Sequence, residues 1–268
     1  MATGDIRINA LVELSRASLA TNHTPGTGAV ITYSSLSATP NGSGVYDFRG
    51  LNDAQKSAVK LMLAEIASIG GITFKEVADG GLLQYGTYTG RPGIPSGPDN
   101  KAESVTSSNG SVVWLNWQVV EIANLGSGYG KQLVLHETAH ALGLKHPEAY
   151  SSYDSGPFLP AGSATAAHTI MAYNGGNTEH LGDYDLLALQ YLWGATGSLP
   201  TTGSSVSVNS SSTTASYFND TISLDVNAFN SSTQVNGLAG TDELVINVAS
   251  TKASFQPSLQ QFTYTKAD

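Results

Sequence analysis

The 268-residue sequence contains no cysteine. That excludes a disulfide scaffold, a thiol nucleophile and any Cys-ligated metal site. Charge is scarce too: Asp, Glu, Lys and Arg make up 12% of the chain, about half the usual share. The 12 basic residues are outnumbered by 21 acidic ones, for a net charge of -9. Such a surface repels a phosphate backbone, so a general nucleic-acid binder is excluded. No apolar run approaches the roughly 18 residues needed to cross a bilayer as a helix, so no membrane span is expected. The first residues, MATGDIRINALVELSRASLA, lack a basic start and an unbroken apolar stretch, because Asp5, Arg7, Glu13 and Arg16 interrupt them. They do not read as an ordinary N-terminal signal peptide. What the chain does have is a 40% hydrophobic content, enough to bury a core, and a length that fits one large domain or two smaller ones.

The hydrophobic pattern divides the chain. Residues 28–33 read as a short apolar strand, followed by a Ser/Gly/Pro/Asn loop over 34–50. Residues 51–71 carry a helical period, with Val59, Met62, Leu63, Ile66 and Ile69 on one stripe. Asn52 is the expected N-cap, Gln55 completes a capping box, and Gly70-Gly71 stops the helix. Strands are expected at 71–77, 82–86 and 112–117. A long Gly/Pro-rich loop is expected between the last two, with a poor edge strand within 102–114. Helices are expected at 131–144, ending at Gly143, and at 183–194 with Asp183 as N-cap. Beyond that the texture becomes Ser/Thr-rich with short alternating runs such as ISLDV and ELVINV. This predicts a domain over 1–197 and a small β-rich module over 198–268, without internal repeats.

One constellation carries chemistry. His136-Glu137-Thr138-Ala139-His140 is HExxH within a predicted helix. Histidines four apart project from one helical face and can hold one cation. Glu137 lies beside the first of them, within reach of a metal-activated water without being a ligand. Gly143 ends the helix, and Pro147 after His146 blocks a restart, so the chain can turn back and bring a third imidazole to the same metal. Three neutral nitrogens and an open position are the pattern of a catalytic zinc site. Three of the six histidines fall in this register. His23, His168 and His180 are isolated and read as ordinary polar residues.

HETAHALGLKHP resembles the extended zinc-binding motif of the metzincin metallopeptidases, HExxHxxGxxH, and the phrase HALGLKHP looks most like the serralysin branch, bacterial secreted proteases. TIMAY (169–173) is similar to their Met-containing turn: Met171 lies 25 residues past His146, with Tyr173 two residues further on. AVITYSSL, the segment 52–77 and DYDLLALQYLWGA resemble the first strand, the first helix with its strand, and the closing helix of that catalytic domain. The likeness covers about residues 28–195.

The resemblance implies an α+β fold: a metzincin-type catalytic domain, with a twisted mixed sheet, an active-site helix and a C-terminal helix, followed by the small β-rich module. It implies a zinc-dependent endopeptidase with Zn2+ on His136, His140 and His146. Glu137 would be the general base. Tyr173 would be a resting fifth ligand that swings away and assists the oxyanion, and Met171 an apolar floor that does not ligate. Protein or peptide substrates, a monomer, and a secreted or cell-surface location follow from the same likeness. Departures are visible. Serralysins continue into many glycine-rich calcium-binding nonapeptides, and here only GLAGTDEL (237–244) comes near. Gly237, Gly240 and Asp242 are therefore Ca2+ candidates, against the plainer reading of a β-turn. The chain also ends without an apolar export signal, as a fragment or processed form of a longer exported protein would. Two other readings fit the motif less fully. One is a surface or matrix-associated binding or assembly module with a metalloprotease-like domain. The other is a zinc hydrolase acting on a non-peptide bond.

Overall fold

The computed structural model describes residues 3–14, 17–40, 42–94, 96–97, 99–107, 110–150, 154–160 and 162–195, and beyond them seven strands. The chain splits into two compact units, Met1–Leu199 and Pro200–Asp268. No helix among the described residues is long and apolar enough to cross a membrane.

The first unit opens with a single helical turn, α1 (Ile6–Asn9), capped by Asp5, which the apolar pattern does not announce. Strand β1 (Ala29–Ser35) follows, then helix α2 (Asp53–Ala67). The capping box forms as the residue types require: Asn52 Oδ1 accepts from Gln55 N, and Gln55 Oε1 accepts from Asn52 N, both at 2.9 Å. Val59, Met62, Leu63 and Ile66 are buried, each contributing about 1.5–3 kcal/mol relative to exposure, while Ile69 beyond the helix end is half-buried.

Strands β2 (Ile72–Glu76), β3 (Leu83–Tyr88), β4 (Ala102–Ser107) and β5 (Gly110–Asn116) complete a five-stranded mixed sheet of order β2-β1-β3-β5-β4. All neighbours are parallel except β4, which pairs antiparallel with β5 at the edge. Strand β4 falls inside the 102–114 window expected for a poor edge strand. Its half-buried AESVTS lacks the apolar run of a central strand, as suits an edge that must stay soluble. The loop before it is tied down. Glu103 accepts from Arg91 Nε (2.8 Å), Arg91 Nη2 (2.7 Å) and the Tyr88 hydroxyl (2.9 Å), and Asn116 Nδ2 donates to Asn100 O at 2.7 Å.

A 3-10 turn (Val120–Ala123) leads to helix α3 (Gly128–Ala141), which packs across the sheet. Thr138 faces the strands: its hydroxyl lies 3.1 Å from the buried Tyr85 hydroxyl and donates to Val134 O. Helix α4 (Asp183–Trp193) closes the unit, and Trp193 Nε1 donates to Leu142 O at 3.0 Å. Its N-cap is Gly182 instead of the expected Asp183. The reason is Asp185, whose carboxylate turns back to accept the Gly182 N–H at 2.8 Å.

In the second unit, strands β6 (Ser205–Val208), β8 (Thr221–Asp225) and β10 (Glu243–Asn247) form a parallel sheet of order β10-β8-β6. Strands β7 (Ser212–Thr214), β9 (Gln234–Asn236), β11 (Ala253–Ser258) and β12 (Gln261–Lys266) form a mixed one. The calcium candidates Gly237, Gly240 and Asp242 lie outside the described residues.

Candidate metal and active site

The end of α3 builds the site. Gly143 adopts φ +104, in the left-handed region that favours glycine. Its N–H donates to His140 O and the Leu144 N–H to Ala139 O, both at 3.0 Å, the paired bonds of a Schellman stop. A Cβ on Gly143 would lie 2.8 Å from Ala20 Cβ, so glycine is required by space as well. The reversed chain is then held by the N-terminal segment: Lys145 N donates to Leu11 O (2.7 Å) and Glu13 N to Gly143 O (3.0 Å). This turn returns His146 to the helix face that carries His136 and His140.

The three imidazoles converge. His146 Nε2 lies 3.2 Å from His140 Nε2 and 3.3 Å from His136 Nε2, and the three form the one cluster of potential metal ligands among the described residues. Nitrogens bound tetrahedrally at about 2.0–2.1 Å from zinc sit about 3.3 Å apart, so the spacing fits that ion. Each Nδ1 has an oxygen partner: Ile170 O for His136 and Leu144 O for His140, both at 2.9 Å, and Asp154 Oδ1 for His146 at 3.2 Å. Nδ1–H donation to those oxygens leaves each Nε2 lone pair directed at the shared centre, where adjacent lone pairs would repel without a cation. Burial pushes His136 down to about 4, against the Ile170 carbonyl, so it stays neutral as a ligand must.

Glu137 is buried beside this cluster. Burial pushes its carboxyl up to about 8, Glu103 adds to the rise, and a hydrogen bond from the Ser104 backbone opposes it. A divalent cation nearby favours the carboxylate. Two hollows of about 300 and 350 Å3 flank Glu137, and both are lined by Ala102, Glu137 and Tyr173. The carboxyl thus stands where they meet, along the free edge of β4. Tyr173 is half exposed, and its hydroxyl lies 3.0 Å from His146 Nε2. Met171 is fully buried in the main core. His23, His168 and His180 lie outside the cluster, against Trp193, Asp183 and Glu65 respectively.

Sequence reasoning missed the supporting residues. Asp154 and Ser104 carry no spacing signal. Asp185 does carry one: it sits on the apolar stripe of α4 with Ala188, Leu189 and Leu192, all buried. Its carboxylate accepts from Thr169 Oγ1 (2.5 Å), Ile170 N (2.7 Å) and Gly182 N (2.8 Å). Burial raises its carboxyl to about 6, with these bonds pulling the other way. Asp185 therefore fixes the turn whose Ile170 carbonyl orients His136. Asp185→Ala would strand three donors, two of them buried, and is expected to cost about 2–4 kcal/mol of unfolding free energy. Urea unfolding checks this, and a loss below about 0.5 kcal/mol, the scatter of an ordinary surface change, contradicts it.

No family model matches the chain. Serralysin G of Dickeya chrysanthemi is 29% identical over 194 residues, 63% of this chain and 40% of that protein. Serralysin C of the same organism is 30% identical over 222 residues, 70% of this chain and 43% of that protein. Among solved structures, myroilysin is 19% identical, with a TM-score of 0.40 over 65% of this chain and 96% of that one. The chain spans about two fifths of the length of the curated relatives it matches. In sequence it is serralysin-like.

Proposed function

We propose that this chain is a zinc-dependent endopeptidase of the serralysin-like metzincin kind, acting outside the cell on proteins or peptides. The observation that carries the reading is the convergence of three Nε2 atoms at tetrahedral spacing beside a buried carboxyl at the meeting point of two hollows. A zinc ion on His136, His140 and His146 would supply Lewis acidity, acidifying a water and polarising the scissile carbonyl. Glu137 accepts the proton of that water and returns it to the leaving amine. The Ser104 amide, which hydrogen-bonds Glu137, keeps the carboxyl in line with β4. The free edge of β4 accepts an extended peptide by strand addition, so the scissile bond lies over Glu137. The Tyr173 hydroxyl, already at the imidazole cluster, donates to the developing oxyanion. Every role falls before residue 174, so the unit from Pro200 onward is not needed for the chemistry.

Metal analysis with casein digestion tests the reading. One zinc per chain is expected, with cleavage lost on chelation and restored by zinc. Cleavage that persists after zinc is stripped would refute a zinc mechanism. Stoichiometric zinc without cleavage of any protein would favour the binding or assembly module.

A further inference from the structure

Tyr173 is 50% exposed, so burial alone does not fix its ring. It is nevertheless held from two directions by the segment that follows His146. Tyr150 stacks on it, with ring centroids 4.1 Å apart and planes 27° apart. Tyr150 also meets the His146 ring edge-on at 5.7 Å. Two residues earlier, the Glu148 carboxylate accepts from Asn174 Nδ2 at 2.7 Å and, at a longer 3.4 Å, from Tyr173 N. The hold is short-range, since Tyr150 N donates to Glu148 O at 3.0 Å. The Tyr173 ring centroid also lies 4.9 Å from that of His146 and 5.7 Å from that of His136. The segment that delivers the third imidazole thus also grips the phenol, at its ring through Tyr150 and at its backbone through Glu148.

We propose that Tyr150 is a positioning residue for Tyr173, holding the phenol at the metal centre by stacking on its ring. The inference rests on the reading of Tyr173 as the oxyanion donor. Tyr150 is itself 62% exposed, and its ring contacts Tyr173 and His146. Glu148 fixes the Tyr173 backbone, so the ring's remaining freedom is rotation about its own side-chain bonds, which the stack restrains. An aromatic pair shifts such an equilibrium by about 2- to 10-fold. Because the phenol acts in the transition state, the shift falls on kcat and leaves KM alone.

The test uses the full chain, with steady-state cleavage of a peptide by the zinc-loaded protein and NMR of ring-labelled tyrosines in the metal-free protein. Tyr150→Leu is expected to lower kcat about 2- to 10-fold with KM unchanged. Tyr150→Phe, which keeps the ring, restores kcat, and in a Tyr173→Phe background Tyr150→Leu has no further effect. In the metal-free protein the Tyr173 ring signals, identified by their loss in Tyr173→Phe, lie upfield from ring stacking and move toward free-tyrosine positions in Tyr150→Leu. Ring signals that do not move overturn the proposal. So does a kcat loss that persists without the Tyr173 hydroxyl, or one that Tyr150→Phe does not rescue. If Tyr173→Phe is slow while Tyr150→Leu behaves as wild type, only the positioning role fails. If Tyr173→Phe keeps full kcat, the reading of Tyr173 itself fails and the positioning role with it.

Discussion

Glu137→Ala is expected to lower kcat by about 100- to 10,000-fold, the range that a positioned acid–base group contributes. Zinc content should stay at one per chain, because the three converging nitrogens belong to His136, His140 and His146 and their Nδ1 partners are Ile170, Leu144 and Asp154. The fold should persist as well. Glu137 lines both hollows, so truncation opens a space that water can reach, and the Ser104 N–H that hydrogen-bonds it can turn to solvent. Glu137→Gln sharpens the experiment, since it keeps the shape and an acceptor for Ser104 but removes the proton-accepting oxygen. Both variants should be slow with KM little changed. Metal analysis, thermal unfolding and peptide cleavage on the same samples check all three expectations. Either variant cleaving at close to the wild-type rate would remove Glu137 from the role of base.

The residues that could be read from sequence are those whose function demands a fixed spacing along one element. His136 and His140 are four apart because a helical face requires it, and Gly143 precedes His146 because the reversal needs a left-handed residue. The α2 capping box and its buried stripe were legible for the same reason: they are local patterns. Strand β4 was legible only as a poor edge strand somewhere within 102–114, because its partner β5 supplies the burial and its own residues are mostly polar. The supports of the site were hidden differently. Asp154 reaches His146 and Glu148 reaches Asn174 across loops whose paths no periodicity describes, and of the supports only Asp185, on the buried stripe of α4, carries a spacing signal. The misassigned cap of α4 shows the same limit. Asp183 and Asp185 are equally good capping residues by type, and the second points inward because it lies on the buried stripe of α4, where the Thr169–Ile170 turn supplies its donors.

His140→Ala separates metal from base chemistry. His140 gives the centre one of three nitrogens, while its backbone carbonyl accepts the Gly143 N–H that helps end α3. Alanine keeps that carbonyl and a good helix former, so the turn that returns His146 should survive. What is lost is one ligand and its Nδ1 link to Leu144 O. Removing an outer-shell partner weakens metal binding by roughly 10- to 100-fold, and removing a ligand itself should cost more. The variant is therefore expected to emerge from dialysis against a chelator without zinc under conditions in which Glu137→Ala retains it. Cleavage should fall to background, and added zinc should fail to restore it at concentrations that reload the metal-stripped parent. Circular dichroism should show a folded chain, less stable to heat because zinc no longer favours the native state by mass action. A folded His140→Ala protein that keeps a full equivalent of zinc would mean that the cation is held elsewhere, and the convergence of the three imidazoles would then need another explanation.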